Sequence, residues 1–271
     1  MEETTSIGRT RARSIFGKLI AAVLVAIIPY VHIGVIHKLI WVPNKPPVNK
    51  THCRCDCFDT VFKGSYERQG KSTYKHVYFN ATFEMLVVWL MTLGVIIVSY
   101  ESFKHIHNIY CKKLIRWKML FLFILDIYPN YYSYWVYVNY INDGYYHQFF
   151  HQLFFTVSEL YSTWNVFRLC SKNSESNSWR LLAIISISLI HILLGGVDQF
   201  FTQLILWRGN AFQRFRNLGF LFPDILHVLL AVQLLAEERQ TSWTNILTMT
   251  ERKYGSILVF SGFLIGKCIF Q

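Results

Sequence analysis

Six long apolar stretches, separated by short polar or basic segments, run through the sequence. An α-helix needs about 20 predominantly apolar residues to cross the hydrocarbon core of a bilayer. The pattern therefore predicts an all-α protein, a polytopic membrane helix bundle with six transmembrane spans. The predicted spans cover residues 19–41, 85–100, 119–141, 145–170, 181–206 and 218–235.

A shorter apolar stretch, residues 254–265, follows the sixth span. Because it falls short of about 20 residues, we expect a membrane-associated or re-entrant segment, and a seventh span at the C-terminus stays open. The chain then divides into three parts. These are a cytosolic basic N-terminus (1–18), a transmembrane bundle (19–253) with a lumenal or extracellular loop (42–84), and an apolar C-terminal membrane-associated segment (254–271).

Composition indicates the same class of protein. Hydrophobic residues make up 53% of the 271 residues and charged residues only 16%, which is typical of a multi-pass membrane protein. The net charge of +11 comes from basic residues beside the apolar runs, so it favours contact with lipid head groups over nucleic acid. The sequence contains no Gly-rich phosphate loop, zinc-finger spacing or nucleophile elbow, so no common class of soluble enzyme is indicated.

Charge and sequons together predict the orientation. Basic residues precede the first span, and positive charge next to a span favours the cytosolic side, so we expect a cytosolic N-terminus. The following loop, 42–84, is then lumenal or extracellular. It contains two N-glycosylation sequons, at Asn49 and Asn80, which support this assignment independently. We therefore expect a glycoprotein in a membrane of the secretory pathway: the endoplasmic reticulum, the Golgi or the plasma membrane.

The same loop contains three closely spaced cysteines, Cys53, Cys55 and Cys57. An odd number of thiols in an oxidising compartment leaves one over, and a bridge within Cys-x-Cys is strained. Three interpretations stay open: an intermolecular disulfide that links a homo- or hetero-oligomer, a thiolate metal site, or one bridge with a free thiol. The first is favoured, because a metal site built on one short run needs further ligands.

Three other cysteines are candidate lipidation sites. Cys111 lies in a basic cluster and Cys170 at the end of the fourth span, both on the predicted cytosolic side. Cys268 begins a C-terminal C-a-a-X pattern that ends in Gln271, and prenylation there requires a cytosolic C-terminus and hence six spans. A free thiol, or a chance apolar C-terminus, is the alternative in each case.

Polar residues on the fourth span form a stripe. At about 100° per residue, the side chains of His147, His151, Ser158, Ser162 and Asn165 fall within roughly 60° of one another, with Glu159 at the edge of the stripe. Ionisable groups at membrane depth are costly and usually face a bundle interior. The stripe therefore predicts a polar interior, to which the third, fifth and sixth spans also contribute.

The predicted interior contains seven titratable residues: Asp126, His151, Glu159, His191, Asp198, Asp224 and His227. At about 1.5 Å per residue, His151, Asp198 and Asp224 lie roughly 9 to 12 Å below the lumenal boundary and form one expected layer. His191, His227 and Glu159 are expected near the bilayer middle and Asp126 in the cytosolic third. His147 lies above the layer, near the boundary.

Three hypotheses about function follow. Paired acids and histidines hold helices together in many membrane proteins, but burying four acids costs several kcal/mol unless they are paired, hydrated or protonated. The favoured hypothesis is a channel- or transporter-like pathway for an ion, proton or small polar solute.

The alternatives are an intramembrane metal-dependent lipid hydrolase and a non-catalytic accessory subunit, receptor or scaffold. The hydrolase would bind a transition metal with ligands drawn from the lumenal half, where imidazole and carboxylate groups suit a water-activating ion. Its candidate ligands are His147, His151, Asp198, Asp224 and His227.

Overall fold

The computed structural model describes residues 2–29, 83–143, 145–174, 178–209, 211–241 and 246–270, together with the isolated positions 31, 35 and 39. This part of the chain is almost entirely helical and contains no β-strand, which confirms the all-α prediction. Seven α-helices lie in the described ranges. They are α1 (Glu2–Pro29), α2 (Phe83–Cys111), α3 (Trp117–Asp143), α4 (Phe149–Leu169), α5 (Ser178–Gly195), α6 (Ala211–Arg239) and α7 (Met249–Phe270).

Two short helical segments complete this part of the chain. A 3₁₀ turn, Tyr146–Gln148, leads into α4, and a π-helical segment, Gly196–Ile205, extends α5. The predicted fifth span is therefore an α-helix followed by a wider π-helical coil. Since a π-helix closes its hydrogen bonds over five residues instead of four, side chains beyond Gly195 no longer keep the angular register of α5.

Three of these helices are long and apolar enough to cross a membrane: α2 over Leu86–Cys111, the whole of α5, and α6 over Gln213–Arg239. These three helices indicate that the chain associates with a membrane. Tyrosine and polar residues lower the hydropathy of α3 and α4. The helix α7 is longer than the apolar stretch 254–265 and extends beyond it at both ends.

Helices α1 and α2 pack against each other in one compact unit, and α3 to α7 form a second. In the first unit, Gly17 of α1 allows close approach, because a Cβ there would lie 2.6 Å from His107 Nδ1 of α2. The ring of Phe16 meets the same imidazole edge-on, with centroids 5.9 Å apart.

The second unit is built on a ring of four helices in which α3 contacts α4, α4 contacts α5, α5 contacts α6, and α6 contacts α3. Large apolar side chains such as Phe150, Leu160 and Trp164 point outward from α4, while Glu159 and Asn165 of the same helix are buried. A bundle with acids inside and aromatic residues outside suits an apolar surrounding. Polar side chains of α4 therefore lie in the interior of the ring.

The helix α7 packs outside this ring, alongside α5. A Cβ added at Gly255, Gly262 or Gly266 would lie 4.0 Å from Ser186, 2.5 Å from Ile190 or 2.4 Å from Leu194, respectively. Because residue numbers rise together on both helices, α7 runs parallel to α5.

Polar contacts connect the helix termini at one end of the second unit, where α3, α5 and α7 begin and α4 and α6 end. We call it the basic end. The backbone N–H of Arg116 donates to the carbonyl of Cys170 at 2.8 Å, which connects α3 to α4. The Arg239 guanidinium, on α6, donates to the Ser178 hydroxyl at the start of α5 and to the Glu251 carboxylate of α7, each at 2.8 Å.

Glu251 also caps its own helix. Its carboxylate accepts the backbone N–H of Thr248 at 2.9 Å, and the Thr248 hydroxyl accepts the backbone N–H of Glu251 at 3.3 Å, a reciprocal capping box. The Arg239 guanidinium, aided by Thr248, lowers the pKa of the Glu251 carboxyl to about 2. Because the folded-state pKa is depressed, the stabilisation is present above the ordinary pKa and is lost only as the pH falls through about 2.

The contact between α3 and α6 depends on a glycine. A Cβ at Gly219 would lie 2.3 Å from the Tyr128 ring, which is itself held between the rings of Phe215 and Phe220. We expect Gly219→Ala to lower the thermal unfolding midpoint in detergent, because overpacking costs about 1–3 kcal/mol and exceeds the gain of about 1 kcal/mol in helix propensity. Gly255→Ala, whose Cβ meets only an ordinary contact, is the matched control and should leave the midpoint unchanged or raised. Equal midpoints for the two variants would contradict this packing.

Candidate functional site

Five titratable side chains meet inside the four-helix ring, and we call them the polar cluster. All five are almost completely buried: Asp126 of α3 is 0% exposed, Glu159 of α4 7%, His191 of α5 6%, Asp224 of α6 5% and His227 of α6 0%. Each of the four helices contributes at least one member. Three carboxylates and two imidazoles therefore lie together in the interior of the ring.

Helical spacing explains how the sequence produces this convergence. Asp224 and His227 are three residues apart on α6 and share one face, and Ser188 and His191 do the same on α5. Pro223 lies inside α6 just before Asp224. A proline in a helix interior leaves the carbonyl four residues earlier without its N–H partner, which is a usual cause of a kink.

One half of the cluster is centred on His191. Its Nδ1 lies 3.5 Å from Asp224 Oδ1 and 3.6 Å from Glu159 Oε2, and its Nε2 lies 2.7 Å from Ser158 Oγ. The Ser158 hydroxyl donates its hydrogen to the Phe154 carbonyl at 2.8 Å. With the hydroxyl hydrogen on that carbonyl, the Ser158 oxygen accepts from the imidazole, Nε2 carries the hydrogen of that contact, and Nδ1 faces the two carboxylates.

The other half is the pair of Asp126 and His227. His227 Nε2 lies 2.9 Å from Asp126 Oδ1, an ion-pair distance, while His227 Nδ1 lies 3.3 Å from the Ser188 hydroxyl. The direction of the first contact is not that of a hydrogen bond, and neither carboxylate oxygen of Asp126 has a hydrogen-bond partner within the described part of the chain. An ionised carboxylate here depends on the nearby imidazole for its stabilisation.

Polar groups continue along α4 on both sides of Glu159. Gln152 donates to the Ser133 hydroxyl of α3 at 3.2 Å, and Thr163 accepts from Asn130 of α3 at 2.8 Å. Asn165 is buried near the basic end. From Gln152 to Thr163 the helix rises about 16 Å at about 1.5 Å per residue. A polar column of this length follows the interface of α3 and α4.

The remaining predicted site residues are not among the five members of the polar cluster. His151 is half-buried on α4, with its ring 5.8 Å from that of Phe155. His147 is exposed on the 3₁₀ turn, against the Tyr145 ring. Asp198 lies in the π-helical segment, and its side chain is outside what the structure describes. In the described residues, the groups close enough to share a metal ion are Glu159, His191 and Asp224.

The depth estimate and the structure differ on which residues are neighbours. Counting residues from the expected span boundary puts Asp224 in a layer with His151, whereas in the structure Asp224 lies against His191 and Glu159. The count treats each span as a straight helix along the membrane normal. Pro223 in α6 and the 3₁₀ turn before α4 both alter that geometry.

The cysteines occupy three different environments. Cys111 is half-buried with its sulfur 3.7 Å from His107 Nε2, Cys170 is buried, and Cys268 is exposed near the end of α7; all three are free thiols. A buried thiol is a poor substrate for acylation, so Cys170 is the weakest of the three candidate sites. Other predicted features lie outside the described residues: Asn49, Asn80, Cys53, Cys55 and Cys57.

Fold and site together define a helical membrane protein with a buried cluster of acids and histidines. A family model, the family of unknown function DUF8801, matches residues 14–269, so the chain belongs to this family. The comparison with curated proteins finds no match, and neither does the comparison with solved structures.

The pair of Asp126 and His227 gives a prediction about stability. Removing one partner of a buried pair typically costs about 3–5 kcal/mol, because the other is left uncompensated. We expect Asp126→Asn and His227→Gln each to lower the free energy of unfolding, measured in mixed detergent and denaturing micelles, and the double variant to cost clearly less than their sum. The exposed pair Lys118 and Glu237 is the control, and its removal should cost less than about 1 kcal/mol. Additive losses at the buried pair would contradict the coupling.

Proposed function

We propose that the chain is a multi-pass membrane protein whose ring of α3 to α6 forms a pathway for a cation. The observation that carries this proposal is the polar cluster, in which four helices bring five titratable side chains into one buried volume. Ionisable side chains at membrane depth are costly and typically line routes for ions. The polar column along α4 supports the same function, because it continues the cluster in both directions.

The composition of the cluster favours a cation over an anion. Three carboxylates face two imidazoles, so acidic groups are in excess, and among the described residues His227 is the counter-charge beside Asp126. An anion in this volume would meet that excess of acids, whereas a cation offsets it. Transport of an anion would require basic groups beyond the two imidazoles of the polar cluster.

We further propose seven spans in place of six. The helix α7 runs parallel to α5, which is itself long and apolar enough to cross the membrane. Beyond its charged first turn, residues 254–270 of α7 provide 17 residues, which is the lower limit of the about 17–25 that cross the hydrocarbon core. The two helices start together at the basic end, so they would also leave the membrane on the same side.

The orientation follows from charge. The basic end carries eight basic residues of the second unit: Arg116, Lys118, Arg168, Lys172, Arg180, Arg239, Arg252 and Lys253. Four basic residues lie toward the opposite end: Arg208, Arg214, Arg216 and Lys267. Positive charge marks the cytosolic side, so the basic end is cytosolic. The N-terminus is then cytosolic, the loop 42–84 is lumenal, and the protein belongs to the secretory pathway.

This topology predicts a lumenal C-terminus. An N-glycosylation sequon placed on a flexible Gly/Ser tail after Gln271 should be modified in cells, seen as a mobility shift that glycosidase removes. The same reporter fused before Met1 should stay unmodified, and the Asn49→Gln and Asn80→Gln variants report on the loop. An unmodified C-terminal reporter beside a modified loop would establish six spans and reopen prenylation of Cys268.

The pathway predicts a flux that depends on the cluster. In liposomes that contain the purified protein, Asp224→Asn and Glu159→Gln should each reduce cation flux about tenfold or more, since a charged hydrogen-bonding group contributes about 1.5–3 kcal/mol. Glu237→Gln, an acid exposed at the basic end, is the matched control and should leave flux unchanged. Equal flux in all three variants, or none in wild type under imposed cation gradients, would contradict the proposal.

A further inference from the structure

Three members of the polar cluster present one ligand atom each to a common point. Glu159, His191 and Asp224 belong to α4, α5 and α6, and their nearest ligand atoms all lie within 4.8 Å of one another. All three side chains are buried. A site assembled from three separate helices differs from an acidic patch on one exposed face, because the fold itself must hold the three groups together.

The hydrogen bonds of His191 orient its ring toward that point. When Nε2 donates to Ser158 Oγ, the lone pair of a neutral imidazole lies on Nδ1, which faces Glu159 and Asp224. A lone pair directed at two carboxylate oxygens is repulsive unless a proton or a metal cation lies between them. This is also how metal-binding histidines are held: one nitrogen donates to a neighbour and the other binds the ion.

The distances agree with a bound ion better than with direct hydrogen bonds. His191 Nδ1 lies 3.5 Å from Asp224 Oδ1 and 3.6 Å from Glu159 Oε2. An N–H···O hydrogen bond has about 2.7–3.2 Å between its heavy atoms. Two ligand atoms bound tetrahedrally at about 2.0–2.2 Å from Zn²⁺ are separated by about 3.4 Å.

We propose that Glu159 Oε2, His191 Nδ1 and Asp224 Oδ1 bind a divalent transition-metal ion of the Zn²⁺ class. The inference rests on the proposed cation pathway and deepens it by naming the cation. An imidazole among the ligands favours a transition metal over Mg²⁺ or Ca²⁺, which prefer oxygen ligands throughout. Two carboxylates neutralise a divalent ion, and Asp126 with His227 forms a separate pair that keeps its own counter-charge.

Ser158 is a positioning residue in this site. It does not contact the ion, but its hydroxyl oxygen fixes which nitrogen of His191 carries hydrogen and how the ring is turned. Loss of such a group typically reduces metal affinity about 10–100-fold. Ser158→Ala is therefore a mild variant that tests the site without removing a buried charge.

The experiment measures metal binding to the full-length protein in detergent, after treatment with a chelator. Calorimetry with Zn²⁺ alone, and visible absorption of Co²⁺ as a probe of four-coordinate geometry, should give one ion per chain. His191→Gln and Asp224→Asn should weaken Zn²⁺ binding by more than the about 10–100-fold expected for Ser158→Ala. Two matched controls, the exposed His147→Gln and Glu237→Gln, should bind as wild type does.

The outcomes separate this inference from the pathway. Zn²⁺ bound at these residues without any cation flux in liposomes would overturn the pathway and keep the metal site. Flux of a cation that depends on Asp224 in a protein that binds no Zn²⁺ or Co²⁺ would overturn the metal site and keep the pathway. Weak binding that His191→Gln and Ser158→Ala leave unchanged, while both variants elute from size exclusion as wild type does, would also overturn the site.

Discussion

The cost of burying charge in an apolar surrounding governs the second unit of this protein. Three carboxylates and two imidazoles lie inside a four-helix ring whose outer surface is aromatic and aliphatic. They are almost completely buried, so each ionised group needs a counter-charge within the cluster. Asp126 has His227 at 2.9 Å, whereas Glu159 and Asp224 share a single imidazole at 3.5 to 3.6 Å. This imbalance in one half of the cluster is what indicates a cation there.

Holding that cluster together requires helices that cannot slide past one another. At the basic end, Arg239 connects α6 to the starts of both α5 and α7, and the capping box of Thr248 and Glu251 fixes the first turn of α7. Farther along, Gly219 allows α3 and α6 to approach closely around the Tyr128 ring. Polar contacts therefore act where the helices end, and close apolar packing acts between them.

The sequence alone predicts the class of fold and much of the interior. Helical periodicity places Glu159, His191 and Asp224 on inward faces, because an acid or histidine in a membrane helix has few other places to lie. Periodicity shows on which face of its helix a residue lies, but it does not show which residues of different helices lie at the same depth in the membrane. It therefore groups Asp224 with His151, and the Asp198 assignment assumes an α-helical register that ends at Gly195. Counting apolar residues alone predicts a segment shorter than α7, because the helix begins at the polar capping box and not at the first apolar residue.

The two histidines show why partners decide chemistry more than residue type does. Both share a hydrogen bond with a serine of a neighbouring helix, and both lie against carboxylates of other helices. His227 faces one acid at ion-pair distance, so that pair is balanced and chiefly holds α3 against α6. His191 faces two acids, each beyond hydrogen-bond length, so its half of the cluster has room and charge for a further ion. A structural pair and a binding site can therefore be built next to each other from the same two residue types.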